Sequence, residues 1–339
     1  MSEIDLLVRF GIALLGFGLV LLGVLSALPA TAAKARALWP LMATEIVIVA
    51  AALVLVVPGG LWTTAGLALI AARCGYEAAT VALSGTGRAP LVVAGLAGIA
   101  AGAAHTEGTA GALAGLLQVT IAAAIADRRA PAERPREGWV LLAFPLVPLV
   151  GFAFVAGREG GAATLVLAFV LVETMDSLAV LGGKLFGRHP AFPRLSPRKT
   201  IEGLASGLAG VTAVGLALGV GLLGRSVGSV LVATVVAAAA TVAGDLAASA
   251  IKRRAGVKDY PPIHALQGGV LDIVDAWIVT GTVLGLLAAV GCRSRLRASP
   301  RRRPRRRPRR SPPSRRRGRP PSLRARRRGG SGRRGSVAA

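Results

Sequence analysis

Apolar runs of about membrane-spanning length recur along the chain, each closed by a short cluster of Gly, Pro or charge. They cover residues 6–28, 41–57, 61–83, 90–104, 108–126, 139–156, 162–181, 203–223, 227–251 and 270–291. Nothing in them alternates with the period of a half-buried strand, so each reads as a helix. Pro58-Gly59-Gly60, His105-Thr106-Glu107 and Arg158-Glu159-Gly160-Gly161 punctuate the runs as turns. Residues 127–137 are charged and Pro-bearing and read as a water-facing loop, after which Trp139 opens the next run at an interfacial position. The first run is preceded by Glu3 and Asp5 rather than by a basic leader, so it is expected to be a retained span and not a signal peptide. The pattern predicts an all-α polytopic integral membrane protein of about nine transmembrane helices, to within one. It divides into N-terminal membrane helices (1–160), C-terminal membrane helices with polar loops (161–292) and a disordered Arg-rich tail (293–339).

Composition supports this picture and changes it at one point. The chain is 53% hydrophobic and only 4% aromatic, and its many small residues allow close helix packing in lipid. Cys74 and Cys292 are too few and too far apart for a disulfide framework or a zinc site. The net charge of +25 looks like a nucleic-acid signal, but 21 arginines and no acid follow from Arg293 onward, which leaves about +4 for the body. The tail lacks the apolar residues to form a core. An out-of-frame reading of GC-rich DNA and a polybasic anchor on anionic lipid both rank ahead of nucleic-acid contact, so no nucleic-acid partner is expected.

The candidate chemistry lies where acids enter apolar runs, because a carboxylate inside a span costs roughly 2.5–3.5 kcal/mol and is usually kept for function. Asp245 interrupts a Val/Ala run, and Asp272 and Asp275 open the next. On a helix, Asp245, Ser249 and Lys252 share one face, and so do Asp272 and Asp275. Between them lie Lys252, Arg253, Arg254, Lys258 and Asp259, then Pro261-Pro262 and Gly268-Gly269. Carboxylates converging beside Lys and Arg suit a Mg²⁺ ion holding a polyphosphate. The bland alternative is a positive-inside loop with helix-end acids, in which Lys252 compensates Asp245 as an ion pair. A second basic segment, residues 182–203, contains Lys184, Arg188, Arg194, Arg198 and Lys199 with Ser and Thr donors, and suits a phosphate head group at the membrane surface. Asp176 lies in the run before it. Two spans separate these segments, so both are expected on one side of the membrane. Positive charge places that side in the cytoplasm. One further crossing would then put the Arg-rich tail outside, against the positive-inside rule. Glu77, in Arg-Cys-Gly-Tyr-Glu, reads as an interfacial acid beside Arg73, with orientation of the site as the alternative. His105 and His189 read as interfacial and loop residues, not ligands.

The order of residues adds a resemblance. Ser249, Ile251, Lys252, Arg253, Lys258, Asp259, Gly268, Gly269, Val270, Asp272 and Asp275 fall at the spacing of the signature of the phosphatidate cytidylyltransferases, the CDP-diacylglycerol synthases. Gln267 stands where that family has His, and Ile273 where it has Arg. Asp176, Ser177, Gly183, Lys184, Phe186, Gly187, Arg188, Ser196, Pro197, Lys199, Thr200, Glu202 and Gly203 resemble a second family segment. Leu178, Val180 and Ile201 replace its Gly, Tyr and Trp. The Tyr76-Glu77 pair is similar to a family pair at a comparable place.

The resemblance implies an inner-membrane, multi-pass enzyme with its active site facing the cytoplasm. It would convert CTP and phosphatidic acid to CDP-diacylglycerol and pyrophosphate with Mg²⁺. By the same resemblance Asp245, Lys252, Arg253, Lys258, Asp259 and Asp272 are expected to be catalytic. Ser196, Lys199, Thr200, Gln267, Gly268 and Gly269 would bind substrate, and Asp245, Asp272, Asp275 and Asp176 the metal. Membrane lipid is an expected partner, and a homodimer an expected assembly. The departures at Gln267 and Ile273 leave open a CTP-dependent transferase acting on another lipid phosphate, or a non-catalytic membrane paralogue.

Overall fold

The computed structural model describes residues 2–83, 88–129, 137–262 and 268–298. Gln267 and the tail from 299 onward lie outside the described residues. Met1–Leu296 form one unit by their contacts.

The helices follow the apolar runs. In order they are α1 (Glu3–Ala27), the short α2 (Ala32–Arg36), α3 (Trp39–Val56), α4 (Gly60–Ala82), α5 (Ala89–Thr106) and α6 (Gly108–Arg129). Next come α7 (Glu137–Leu141) and α8 (Val147–Ala156), joined across a kink at Phe144-Pro145, where Phe144 is extended, then α9 (Gly161–Phe186). After a hairpin come α10 (Ile201–Leu216, prolonged by a π-turn to Leu222), α11 (Val227–Arg254) and α12 (Val270–Ala298). Caps mark several starts: Ser2 and Asp5 form a capping box on α1, and the Thr200 and Ser226 hydroxyls accept the Gly203 and Ser229 amides.

Among the described residues, eight helical segments are long and apolar enough to cross a membrane. The protein is therefore essentially all-α and multi-pass. The exception to the all-α expectation is a two-stranded antiparallel hairpin, β1 (Pro190–Phe192) with β2 (Ser196–Thr200), inside the segment read as a loop. Of the expected spans, α6 is apolar only over a shorter stretch, Gly108–Ala124, and α4 is too polar to qualify. The reason for α4 is burial: Leu67, Ala71, Cys74, Glu77, Ala78 and Ala79 along it are all shielded by neighbouring helices, so it need not be lipid-soluble itself.

Contacts at the helix ends fix which ends lie together. Lys34 after α1 donates to the Lys184 carbonyl near the end of α9, while Glu3 at the start of α1 pairs with Arg225 between α10 and α11. Thr64 near the start of α4 meets His105 near the end of α5 at 2.8 Å, as suits an interfacial histidine. In the interior, Trp277 of α12 donates to the Leu165 carbonyl of α9 and packs edge-on against Phe152 and Phe169. The buried Thr241 and Thr280 hydroxyls join α11 to α12 at 3.2 Å.

Candidate active site

Four polar segments meet at the end of the bundle where α9 and α11 finish and α10 and α12 begin. The hairpin contributes Lys199, whose ammonium lies 3.1 Å from Asp245 Oδ2 on α11. One helical turn later on the chain than Ser249, Lys252 reaches across to α12 and binds Asp272 Oδ1 at 2.5 Å. The two segments singled out in the sequence are thus in direct contact, as the two-span argument expects. The pairing differs from the expected one in a specific way. Lys252 does not compensate Asp245; it compensates Asp272, and Asp245 is compensated by Lys199. The seven-residue offset put Asp245 and Lys252 on one face, but two turns separate them by about 10 Å along the axis, too far for an ion pair.

Asp272 is the most constrained carboxylate of the group. Its Oδ2 accepts the Tyr260 and Gly269 amides at 3.0 and 2.9 Å, so both oxygens are engaged. Tyr260 is fully buried, its ring 5.3 Å from Lys252 Nζ, and burial pushes its phenol far above the usual range, so it stays neutral. Sequence reading passed over Tyr260. The signal was an aromatic between Lys258-Asp259 and Pro261-Pro262, in a chain with two tyrosines.

Asp245 Oδ2 is buried and, although close to Lys199, it has no aligned hydrogen-bond donor among the described residues. The ion pair is a matter of distance alone. Gly244 beside it allows α11 to touch α12, since a Cβ there would stand 2.7 Å from the Asp275 carbonyl oxygen and 2.9 Å from Ala276 Cα. Asp275 is buried, and Asp176 on α9 is half-buried. Asp176, Asp245 and Asp275 are close enough for each charge to act on the others, with Lys199 and Lys252 in the same field.

The remaining expected residues are spread around this centre. Arg253 donates to the Val257 carbonyl in its own turn and is exposed, as are Lys258 and Asp259, which face each other at 3.8 Å. Ser196 starts β2, half-buried. The Thr200 hydroxyl caps α10. Glu202 anchors the hairpin by accepting the Arg188 and His189 amides and pairing with His189 Nδ1, which gives that histidine a structural part. Gly268 and Gly269 lead into α12, and Ile273 packs against the apolar core.

Glu77 overturns its expected place. It is not interfacial but fully buried, and it accepts the Val270 and Leu271 amides at the start of α12 while pairing with Arg73.

No group of three or more His, Cys, Asp or Glu side chains arranged to hold a metal ion occurs among the described residues. The donor chemistry nonetheless fits a hard divalent cation. Such an ion takes oxygen ligands, and magnesium commonly draws only one or two carboxylates from the protein, the rest coming from water and substrate phosphate. Asp245 Oδ2, buried without a hydrogen-bond partner, is the kind of atom such an ion would satisfy.

Known proteins resemble part of this chain. It is 39% identical over 124 residues to phosphatidate cytidylyltransferase 5, chloroplastic, of Arabidopsis thaliana, covering 36% of this chain and 31% of that one. It is 36% identical over 144 residues to the phosphatidate cytidylyltransferase of Helicobacter pylori strain J99, covering 42% and 54%. It is 32% identical over 148 residues to the uncharacterized protein YnbB of Escherichia coli K12, covering 43% and 50%. The chain thus spans between about a third and just over half the length of these relatives. A wider match, to the sequence profile of the cytidylyltransferase family, runs over residues 41–290 and takes in α3 to α12 with every carboxylate and lysine of the centre; the chain belongs to that family.

Proposed function

We propose that the protein is a membrane nucleotidyltransferase that converts CTP and phosphatidic acid to CDP-diacylglycerol and pyrophosphate. The observation that carries the reading is the pair of crossed ion pairs, Lys199–Asp245 and Lys252–Asp272, which bring two cations and two carboxylates from three segments, β2, α11 and α12, to one membrane-end site. Relatives named as phosphatidate cytidylyltransferases support the substrates. A phosphate oxygen of the lipid attacks the α-phosphorus of CTP. The new P–O bond forms as the bond from the α-phosphorus to the α,β-bridging oxygen breaks, and pyrophosphate leaves with that electron pair. The protein's part is alignment and neutralisation. Lys199 and Lys252 bind the polyphosphate and lipid phosphate oxygens, while Arg253 and Lys258 at the rim draw the nucleotide in. Asp245 and Asp272, with Asp275 and Asp176, would hold Mg²⁺, which when bound would offset the charge that builds on the phosphates. Ser196 and Gly268 line the approach. Lys34, Lys184, Arg198, Arg254 and Lys258 crowd the same end, which orients the site to the cytoplasm of the inner membrane.

The test is incorporation of radiolabelled CTP into lipid by purified protein with phosphatidic acid, with and without Mg²⁺. A labelled liponucleotide formed only with Mg²⁺ is expected, and no labelled lipid would reject the reading. Transfer to another lipid phosphate is a second reading, favoured by Ile273, which puts an apolar side chain where the signature carries Arg. A panel of lipid phosphates in the same assay separates the two.

A further inference from the structure

Arg73 and Glu77 lie one turn apart on α4, in the helix that is too polar to be counted a span; Glu77 is fully buried and Arg73 partly so. A charged pair in such a place is costly unless every polar atom is used. Here the atoms are used on the active site's own backbone. Glu77 Oε1 accepts the Arg73 Nε–H at 2.6 Å and the Val270 amide at 2.9 Å. Glu77 Oε2 accepts the Leu271 amide at 2.8 Å. Arg73 Nη2 donates to the Pro261 carbonyl at 3.0 Å.

The amides at Val270 and Leu271 are first-turn donors of α12, which no helical carbonyl can satisfy. Gly269, just before them, gives its amide to Asp272. The start of α12 is thus capped by two carboxylates, one from its own first turn and one from α4, almost two hundred residues away in sequence. On the other side of Asp272, Tyr260 gives its amide to the same Asp272 oxygen, and its neighbour Pro261 is held by Arg73. A Cβ at Gly269 would strike the Glu77 carboxylate and the Tyr260 Cβ, so the glycine is what lets the carboxylate reach these amides.

We infer that Glu77 and Arg73 are positioning residues for Asp272. Glu77 fixes the first turn of α12, and Arg73 fixes the chain beside Tyr260, so that the Asp272 carboxylate is presented to Lys252 and to the reacting phosphates at one distance. The inference rests on the function proposed above. It predicts loss of rate more than loss of binding, because Glu77 is fully buried and its oxygens are engaged by Arg73 and the two amides.

The test compares wild type with Glu77→Gln, Glu77→Asp and Arg73→Lys in detergent. The readouts are kcat and KM for CTP per folded molecule, the Mg²⁺ concentration for half-maximal rate, and backbone amide exchange over residues 269–272. Gln retains one acceptor oxygen but turns a donor toward an amide. It should lower kcat on the order of 10²-fold, the scale of a small misplacement of a reacting group, with KM for CTP little changed. It should also raise the Mg²⁺ requirement and speed amide exchange over 269–272. Glu77→Asp keeps the charge and withdraws it by one methylene, and should show the same signs with the fold retained if Gln does not fold. Arg73→Lys, which loses the fork that spans Glu77 and Pro261, should show a smaller loss. A merely structural role would lower yield and melting temperature while leaving kcat and the Mg²⁺ requirement per folded molecule unchanged, and that result overturns the inference, as does unchanged exchange over 269–272. If wild type itself makes no labelled lipid, the proposed function fails, and the exchange measurement alone then decides whether Glu77 holds α12.

Discussion

At the scale of single residues, the decisive facts are which lysine meets which carboxylate. Asp272 is bound on both oxygens, whereas Asp245 Oδ2 has no aligned donor among the described residues. The two should therefore respond differently to Asp→Asn, which keeps size and removes charge. Asp272→Asn breaks a mostly buried ion pair and turns an NH₂ toward Lys252 or toward two amides. It should lower both the melting temperature and the CTP turnover per folded molecule, the latter on the order of 10²–10³-fold. Asp245→Asn should lower turnover comparably while costing less stability, since no aligned hydrogen bond is lost. Thermal unfolding beside labelled-CTP assays measures both, and near-normal turnover in Asp272→Asn would sink the proposed role. What the sequence disclosed at this scale was the residue types and their order. It did not disclose pairing, because Asp272 and Lys199 lie on other segments than α11, and only the approach of α12 and of the hairpin brings them to Lys252 and Asp245.

At the scale of elements, the approach of α11 to α12 rests on Gly244. The atoms a Cβ would meet there are backbone, which cannot swing aside as a side chain can. Gly244→Ala should cost about 1–3 kcal/mol through overpacking and lower turnover by displacing Asp245 from Asp275. Gly228→Ala in the same helix, where nothing lies within 4 Å of the added carbon, should do neither. A melting curve and turnover indistinguishable between the two variants would refute the account. Helix existence was readable from the apolar runs throughout, because lipid demands it. Helix ends were less so. Helix α9 continues through Gly182-Gly183 to Phe186, and α11 to Arg254, beyond the ends of the apolar runs read at 181 and 251. The β1–β2 hairpin was hidden for a different reason: its order comes from Glu202 gripping the Arg188–His189 amides, a contact no period in the sequence announces. Glu77 was misread because an acid beside an arginine in an apolar run looks the same whether it faces head groups or a neighbouring helix start.

At the scale of the whole molecule, the helix ends sort into two sets. Lys34, Lys184, Lys199, Lys252 and Lys258 fall in one set, and Glu3, Arg225, Thr64 and His105 in the other. If the basic end faces the cytoplasm, a cysteine at position 258 should react with a membrane-impermeant maleimide only in inside-out vesicles, and one at 225 only in right-side-out vesicles. The background for this measurement should have Cys74 and Cys292 replaced. Reversal of the two patterns would place the site on the far side and exclude cytosolic CTP as its substrate.

The crossed ion pairs have a thermodynamic corollary. Because Asp245 and Asp272 are each paired with a lysine, a cation arriving alone at either carboxylate meets an ammonium group, and a polyphosphate arriving alone at either lysine meets a carboxylate. An incoming polyphosphate draws the two ammonium groups to itself and leaves Asp245 and Asp272 bare; an incoming cation does the converse. Each ligand prepares the place of the other, so their binding free energies are coupled and the coupling is mutual. Mg²⁺ and CTP added together should raise the melting temperature by more than the sum of their separate effects, and replacing Lys199 and Lys252 with methionine should abolish that excess. Strictly additive shifts in the wild-type protein would mean that the partners are not exchanged.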